Sequence, residues 1–125
     1  MKQSRKKILV IDDEPEILKL LKKRLEANHF QCITADNPVE GLQKAVKTKP
    51  HLILLDLMLP KMSGFGFLRI VKSNPHLAGI PVVVLTALGD AEITREATDL
   101  GAVGYLTKAC APQELISMIQ NFVSS

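Results

Sequence analysis

The sequence predicts an α/β domain in which a parallel sheet is covered by helices on both faces. Short runs of branched apolar residues, typical of strands buried on both faces, alternate five times with longer segments of helical periodicity. The connecting loops are short, and no linker, internal repeat or low-complexity tract interrupts this alternation. We therefore expect residues 1–125 to form a single domain with its core at about residues 7–122.

The predicted strands are apolar and mostly rich in β-branched or leucine residues. They lie at about residues 8–11, 31–35, 52–55, 82–85 and 103–105. The first predicted helix has Pro15 in its first turn, where the missing N–H is tolerated. Its apolar stripe recurs at helical spacing and comprises Ile17, Leu18, Leu21 and Leu25.

Helix-start signals precede the other four helical segments. Asn37 and Pro38 introduce the second, Ser63 and Gly64 the third, Asp90 the fourth and Pro112 the fifth, which runs to about Phe122. Gly101 ends the fourth helix as a left-handed cap. The residues predicted to face the core are Val39, Leu42, Ala45 and Val46, then Phe67, Leu68 and Val71, then Ile93, Ala97 and Leu100, and finally Leu115, Ile116 and Ile119.

Three carboxylates follow directly on apolar strands. Asp12 and Asp13 end the first predicted strand, and Asp56 ends the third. Because parallel strands meet with their carboxyl ends at one crevice, these groups should converge there and require a neutralising cation. A hard ion such as Mg²⁺ prefers such oxygen ligands. For Asp12 and Asp13, helix capping alone is the competing interpretation.

Two further side chains are expected at the same sheet edge. Thr86 follows the fourth predicted strand and Lys108 follows the fifth. Carboxylates, a hydroxyl and a lysine at one edge are suited to a phosphoryl site, because the cations neutralise phosphoryl oxygens and the hydroxyl donates a hydrogen bond. The small residue Ala87 leaves space for a phosphate.

Bulk properties favour a reduced, cytoplasmic protein. The net charge is only +3, and the basic N-terminal residues are better explained as a solvated end than as a nucleic-acid contact. No apolar stretch approaches the roughly 18 residues of a membrane span, and no secretory signal is evident. Cys32 and Cys110 lie far apart without metal-ligand spacing; Cys32 is predicted to pack in the core and Cys110 to be an ordinary loop thiol.

Five motifs carry a resemblance to a known family, in the family's order. They are Ile11-Asp-Asp13, Leu54-Leu-Asp-Leu-Met-Leu-Pro60, Ser63-Gly64, Leu85-Thr-Ala87 and Gly101-Ala-Val-Gly-Tyr-Leu-Thr-Lys108. Together they resemble the receiver domain of bacterial two-component response regulators, such as those of chemotaxis. The resemblance implies a flavodoxin-like (βα)5 doubly wound parallel sheet with strand order 2-1-3-4-5.

The resemblance also implies a phosphoacceptor signalling module rather than a turnover enzyme. Asp56 matches the aspartate that accepts a phosphoryl group from a histidine kinase or phosphotransfer protein, after which the partner-binding surface changes. The implied ligands of Mg²⁺ (or Mn²⁺) are Asp12, Asp13, Asp56 and the Met58 backbone carbonyl. Thr86 and Lys108 match the phosphate-sensing pair, and Tyr105 matches the aromatic residue that turns inward on activation. Direct binding of nucleic acid or membrane is not expected from this domain.

The chain departs from the family pattern directly after Lys108. Ala109 and Cys110 stand where most receivers have a proline in a cis peptide and an aromatic residue. A non-proline cis bond costs about 2.5–4 kcal/mol, so either a trans bond or a strained loop is compatible with the sequence. The sequence therefore does not determine how far the Lys108 side chain reaches. Receivers that dimerise in the manner of the winged-helix transcription factors usually have acidic residues before the switch aromatic. Val103 and Gly104 stand at these positions, which disfavours that mode of dimerisation.

The sequence disfavours three other function classes, because it does not have the features typical of them. An aspartyl-phosphate phosphatase of this fold usually has a second aspartate two residues after the nucleophile, where this chain has Met58. A nucleotide-binding domain would have a glycine-rich loop after the first strand. A phosphorylation-independent interaction domain would lack some of the polar site residues. Met58 and Leu88, both apolar, are predicted to keep water from the phosphorylated aspartate and so to slow dephosphorylation.

Overall fold

The computed structural model describes residues 5–57, 64–86 and 91–123. Five strands form one parallel sheet in the order β2-β1-β3-β4-β5, which confirms the predicted fold class and strand order. The strands are β1 (Lys7–Ile11), β2 (Gln31–Ala35), β3 (Leu52–Asp56), β4 (Val82–Thr86) and β5 (Gly104–Thr107). The helices are α1 (Pro15–Ala27), α2 (Pro38–Thr48), α3 (Gly64–Ser73), α4 (Ala91–Asp99) and α5 (Pro112–Val123).

The core lies on both faces of the sheet because the central strands alternate their side chains between two layers. In β1, Leu9 and Ile11 pack with α2 and α3 residues on one face, whereas Ile8 and Val10 pack with α1 and α5 residues on the other. All residues of β3 and β4 are buried. Helices therefore cover both sides, as the near-continuous apolar strands predict.

Local signals place several helix ends correctly. The Asn37 side chain accepts a hydrogen bond from the backbone N–H of Glu40 at 2.9 Å, which caps α2 immediately before Pro38. Gly101 follows α4 with a φ of +110°, a conformation that side chains with a Cβ rarely adopt. The Ser63 and Asp90 start signals lie outside the described residues. No helix in the described part of the chain is long and apolar enough to cross a membrane.

The inward face of α2 differs from the prediction. Ala45 is buried and Leu42 packs partly buried against the core, as predicted. Val39 and Val46, however, are 59% and 55% exposed, and Pro38 and Gly41 are buried in their place. A Cβ on Gly41 would lie 2.7 Å from Ile11 Cδ1, so α2 approaches the sheet too closely for a larger side chain. The prediction was wrong for the two valines, because it followed the branched apolar residues and did not count the glycine as part of the buried face.

The edge strand β5 also differs in its bounds. It begins at Gly104 and extends through Thr107, two residues beyond the predicted end. Backbone pairing with β4, which aligns Thr107 with Thr86, extends this strand past its apolar residues. Tyr105 is 48% exposed because this strand lies at the sheet edge. Pairing geometry, rather than side-chain hydrophobicity, sets the end of β5.

Candidate functional site

Three buried polar residues lie at the carboxyl edge of the sheet. Asp12 follows β1, Asp56 ends β3 and Thr86 ends β4, and all three are less than 5% exposed. Parallel pairing aligns Asp56 with Leu85, so Thr86 lies one position further along the neighbouring strand. The sheet thus brings these side chains to one crevice, as the sequence predicts.

The acidic cluster has the geometry of a cation site. Asp12, Asp13 and Asp56 each offer a carboxylate oxygen, and these atoms lie within 4.8 Å of one another. Asp12 Oδ1 accepts a hydrogen bond from the backbone N–H of Glu14 at 2.9 Å. Its Oδ2 is buried and accepts no hydrogen bond from the described residues. Hard oxygen donors with a buried, unsatisfied oxygen suit a hard divalent cation.

Lys108 brings a positive charge into this cluster. Its Nζ lies 2.9 Å from Asp12 Oδ2, 3.1 Å from Asp56 Oδ2 and 2.8 Å from Glu14 Oε1. The contact with Asp12 is an ion pair that lacks hydrogen-bond geometry, whereas Asp56 and Glu14 accept hydrogen bonds. One ammonium group therefore serves three carboxylates, two of them almost fully buried.

The backbone explains how Lys108 reaches the cluster. The Lys108 N–H donates to the Thr86 carbonyl at 2.8 Å, which extends the β4–β5 pairing by one step. No peptide bond between described residues is cis, so the Lys108–Ala109 bond is trans. Of the two geometries that the sequence leaves open, the trans bond is the one found, and it does not prevent the lysine from contacting Asp56.

Burial and charge act in opposite directions on the ionisable groups. Burial raises the pKa of Asp12 and the neighbouring Asp56 carboxylate adds to this, while the Glu14 N–H and the Lys108 ammonium oppose it; the net pKa is above the ordinary value. Burial alone lowers the pKa of Lys108, but the carboxylates of Glu14, Asp12 and Asp56 outweigh it and raise the pKa. Lys108 is therefore a stable cation at neutral pH.

The other residues that the sequence analysis singled out are either described by the structure or lie outside the described residues. Tyr105 lies on β5 opposite Val84 and is half exposed to solvent. The Met58 carbonyl and Leu88 lie outside the described residues, as does Ala87. Cys32 is buried, as predicted, and burial raises its pKa to about 12, so its thiol is unreactive at neutral pH.

The contact between Glu14 and Lys108 was not predicted from the sequence. Glu14 follows the acidic pair and contacts Lys108, although 94 residues separate the two in the chain. An acidic residue after an acidic pair also suits the start of a helix, so the sequence carries no distinctive signal for this ion pair.

Gly64 is the second missed residue. A Cβ there would lie 2.5 Å from Leu57 Cα and 2.8 Å from the Asp56 carbonyl oxygen. The Gly64 N–H donates to the Leu57 carbonyl at 3.0 Å. Gly64 thus allows the start of α3 to pack directly against the backbone that carries Asp56. Its glycine identity in the motif was the available signal.

Comparison with known proteins agrees with this geometry. The family model of the response regulator receiver domain matches residues 8–120 of this chain. The chain is 36% identical over 115 residues to the phosphate regulon transcriptional regulatory protein PhoB of Pseudomonas aeruginosa, covering 92% of this chain and 50% of that protein. It is 38% identical over 114 residues to the DNA-binding dual master transcriptional regulator RpaA of Synechocystis, covering 91% of this chain and 47% of that protein. The chain spans about half the length of these relatives.

A solved structure gives the same result for the fold. The Vibrio cholerae chemotaxis protein CheY4 superposes with a TM-score of 0.89 at 29% identity, covering 94% of this chain and 98% of that one. The match of the family model, the relatives and the strand order all lead to one assignment. The chain belongs to the response regulator receiver domain family, whose members act as phosphoacceptor signalling modules of two-component systems.

Proposed function

We propose that Asp56 is the phosphoacceptor and that it receives its phosphoryl group from a histidine kinase or a phosphotransfer protein. The observation that carries the proposal is the meeting of the Asp56 carboxylate with Lys108 at 3.1 Å inside a cluster of carboxylates able to hold a cation. Asp56 is only 3% exposed, so a charge at this position depends on such partners. Its position at the end of β3 opens it to the crevice above the sheet.

In the proposed reaction one carboxylate oxygen of Asp56 attacks phosphorus in line. A new O–P bond forms while the P–N bond of phosphohistidine breaks, and its electron pair leaves with the imidazole. The Lys108 ammonium balances the added negative charge and contacts a phosphoryl oxygen. Thr86, at the end of β4, donates its hydroxyl hydrogen to another phosphoryl oxygen. Phosphoryl transfer is limited by alignment and charge, and these residues supply both.

The proposed cofactor is Mg²⁺, or Mn²⁺ in its place. Asp12, Asp13 and Asp56 would hold it, with the Met58 carbonyl as a further ligand, and it would neutralise charge between the carboxylates and the incoming phosphoryl group. Asp12 Oδ2 supports this assignment, because it is buried and its ion pair with Lys108 lacks hydrogen-bond geometry, which leaves it able to ligate a cation. The proposed module is a single receiver domain at residues 1–125.

The proposed output is a change of the surface formed by α4, β5 and α5. Thr86 is paired with Thr107 of β5, and Lys108 directly follows that strand, so their movement toward a phosphoryl group would be transmitted to β5. Tyr105 on β5 is half exposed and would turn inward as Thr86 moves. Such a two-state change would alter binding to a downstream partner or output domain. The module transfers a signal and does not turn over a substrate.

Intact-mass analysis after incubation with acetyl phosphate and Mg²⁺ tests the proposal. We expect one added phosphoryl group in the wild type and none in Asp56→Asn or without a divalent cation. Asp99→Asn at the end of α4 makes the same change of charge on an exposed carboxylate and should label normally. Full labelling of Asp56→Asn would refute Asp56 as the acceptor.

A further inference from the structure

The Glu14 side chain makes a contact that its helix does not require. Glu14 is the N-cap residue of α1, but its side chain makes no capping hydrogen bond. Its backbone N–H donates to Asp12 Oδ1 at 2.9 Å, and its carbonyl accepts from the Leu18 N–H at 3.1 Å. These backbone bonds are independent of the carboxylate. The carboxylate instead accepts a hydrogen bond from Lys108 Nζ at 2.8 Å.

This contact competes with the other two for a single ammonium group. The Glu14 side chain is 58% exposed, whereas Asp12 and Asp56 are almost fully buried. Glu14 therefore draws Lys108 from the solvent side, and the distance to Glu14 is 0.3 Å shorter than the 3.1 Å distance to Asp56. An incoming phosphoryl donor is itself an anion, so it must compete with Glu14 for Lys108.

We propose that Glu14 is a positioning residue that acts through Lys108: it restrains the ammonium group and thereby limits the rate at which Asp56 accepts a phosphoryl group. The inference rests on the proposed function of Asp56. Releasing Lys108 from Glu14 makes the ammonium fully available to the phosphoryl oxygens.

The test compares labelling rates of four proteins at subsaturating acetyl phosphate and saturating Mg²⁺. We expect Glu14→Gln to label about threefold faster than the wild type, because one competing carboxylate is gone. Glu14→Asp keeps the charge but is one methylene shorter and loses the contact, so it should label nearly as fast as Glu14→Gln. Glu16→Gln, in the same first turn of α1, removes a charge without touching Lys108 and should match the wild type.

A second readout follows Lys108 itself and needs neither metal nor phosphoryl donor. In the NMR spectrum of protein with labelled lysine, the ε-methylene signal of Lys108 should move in Glu14→Gln and Glu14→Asp but not in Glu16→Gln. A Glu14→Asp protein that labels like the wild type, beside a fast Glu14→Gln, would show an effect of charge alone and overturn the inference. So would equal rates for Glu14→Gln and the wild type.

The two proposals fail in different ways. If the wild type labels on Asp56 and the Glu14 variants do not differ from it, only the role of Glu14 is refuted. If no protein labels, the wild type included, the proposed function is refuted and the inference falls with it.

Discussion

Lys108 Nζ lies 3.1 Å from Asp56 Oδ2 although the peptide bond after the lysine is trans. The hydrogen bond from the Lys108 N–H to the Thr86 carbonyl fixes the start of this side chain at the end of the β4–β5 ladder. From there the four-carbon stem is long enough to reach both Asp12 and Asp56. A proline after the lysine is thus not needed for the contact, and Lys108 is the cation that compensates two buried carboxylates.

Replacing Lys108 with methionine should destabilise the fold. The substitution keeps the length of the stem but leaves Asp12 and Asp56 without their cation, and uncompensated buried charges are costly. We expect the free energy of unfolding in urea, without divalent cations, to fall by about 3 kcal/mol at neutral pH. Added Mg²⁺ should recover part of the loss by binding the folded state. An unchanged midpoint would contradict this account; Lys72→Met tests whether any partly buried lysine behaves alike.

Gly64→Ala should distort the backbone that carries Asp56. The new Cβ would lie 2.5 Å from Leu57 Cα, and backbone atoms cannot yield as a flexible side chain does. We expect a loss of about 1–3 kcal/mol in thermal or urea unfolding, together with slower labelling. Gly79→Ala is the matched control, because a Cβ there meets nothing within 4 Å. Equal stability of the two variants would refute the close approach of α3.

Much of the fold could be predicted because the periodicity of apolar residues and the positions of helix-start residues determine it. The β2 bounds and the start of α2 at Pro38 agree with the prediction, since local propensity and tertiary packing favour the same structure there. The inward face of α2 could not be predicted from its valines, because the approach of Gly41 to Ile11 depends on helix–sheet distance. The end of β5 depends on pairing with β4, which is likewise non-local.

The site could be predicted as far as strand ends determine it. Asp12, Asp56 and Thr86 each follow an apolar run, so parallel pairing alone brings them together. The contacts of Lys108 could not be predicted in this way, because strand pairing does not determine the path of the chain after β5. Its ion pair with Glu14 joins residues 94 apart in sequence, and no spacing rule reports such a contact.

The stability of the protein should depend on pH through His51. Its Nδ1 accepts a hydrogen bond from the Lys7 N–H at 3.0 Å, which requires an unprotonated nitrogen. Burial, and then the charges of Lys6 and Lys7, lower its pKa below the ordinary 6.5. The unfolded state therefore binds the proton first, so this stabilisation is present above pH 6.5 and is lost as pH falls through the lower folded pKa.

Urea midpoints across this range test the His51 prediction. His51→Asn retains an acceptor but cannot titrate, so its midpoint should fall less than that of the wild type as the solution is acidified below pH 6.5. His76→Asn replaces an exposed histidine whose side chain makes no such bond to the backbone of β1 and should follow the wild type. Parallel curves for all three proteins would exclude His51 as the group responsible.

Activation should alter amide exchange most at α4, β5 and α5. Thr86 ends β4 and Lys108 follows β5, so their proposed contacts with a phosphoryl oxygen would act on these elements first. Beryllofluoride with Mg²⁺ would mimic the phosphoryl group that we propose for Asp56, and exchange can be followed by mass spectrometry. Asp56→Asn should show no difference with and without beryllofluoride. A response confined to α2, which packs against β1 and β2 near the opposite edge of the sheet from β5, would contradict this direction of signalling.

The phosphorylated form should be long-lived because apolar residues occupy the two sequence positions that we expect to lie near the path of attacking water. Met58 and Leu88 follow the phosphoacceptor and the threonine by two residues each, and neither side chain can orient a water molecule by hydrogen bonding. Hydrolysis requires a water in line with the bond between Asp56 and phosphorus. Met58→Asn combined with Leu88→Glu supplies polar groups there and should speed dephosphorylation about tenfold, equivalent to about 1.4 kcal/mol in the barrier.

Loss of the phosphoryl group after removal of the donor, followed by intact mass, measures this lifetime. The control is Val39→Asn with Val46→Glu, which makes the same kinds of change at two exposed positions of α2 and should leave the lifetime unaltered. If only the Met58 and Leu88 variant is accelerated, ordering of water controls the lifetime. If it decays no faster than the wild type, the prediction is wrong, and the proposed contact of the Lys108 ammonium with the phosphoryl oxygens is the better explanation of the barrier.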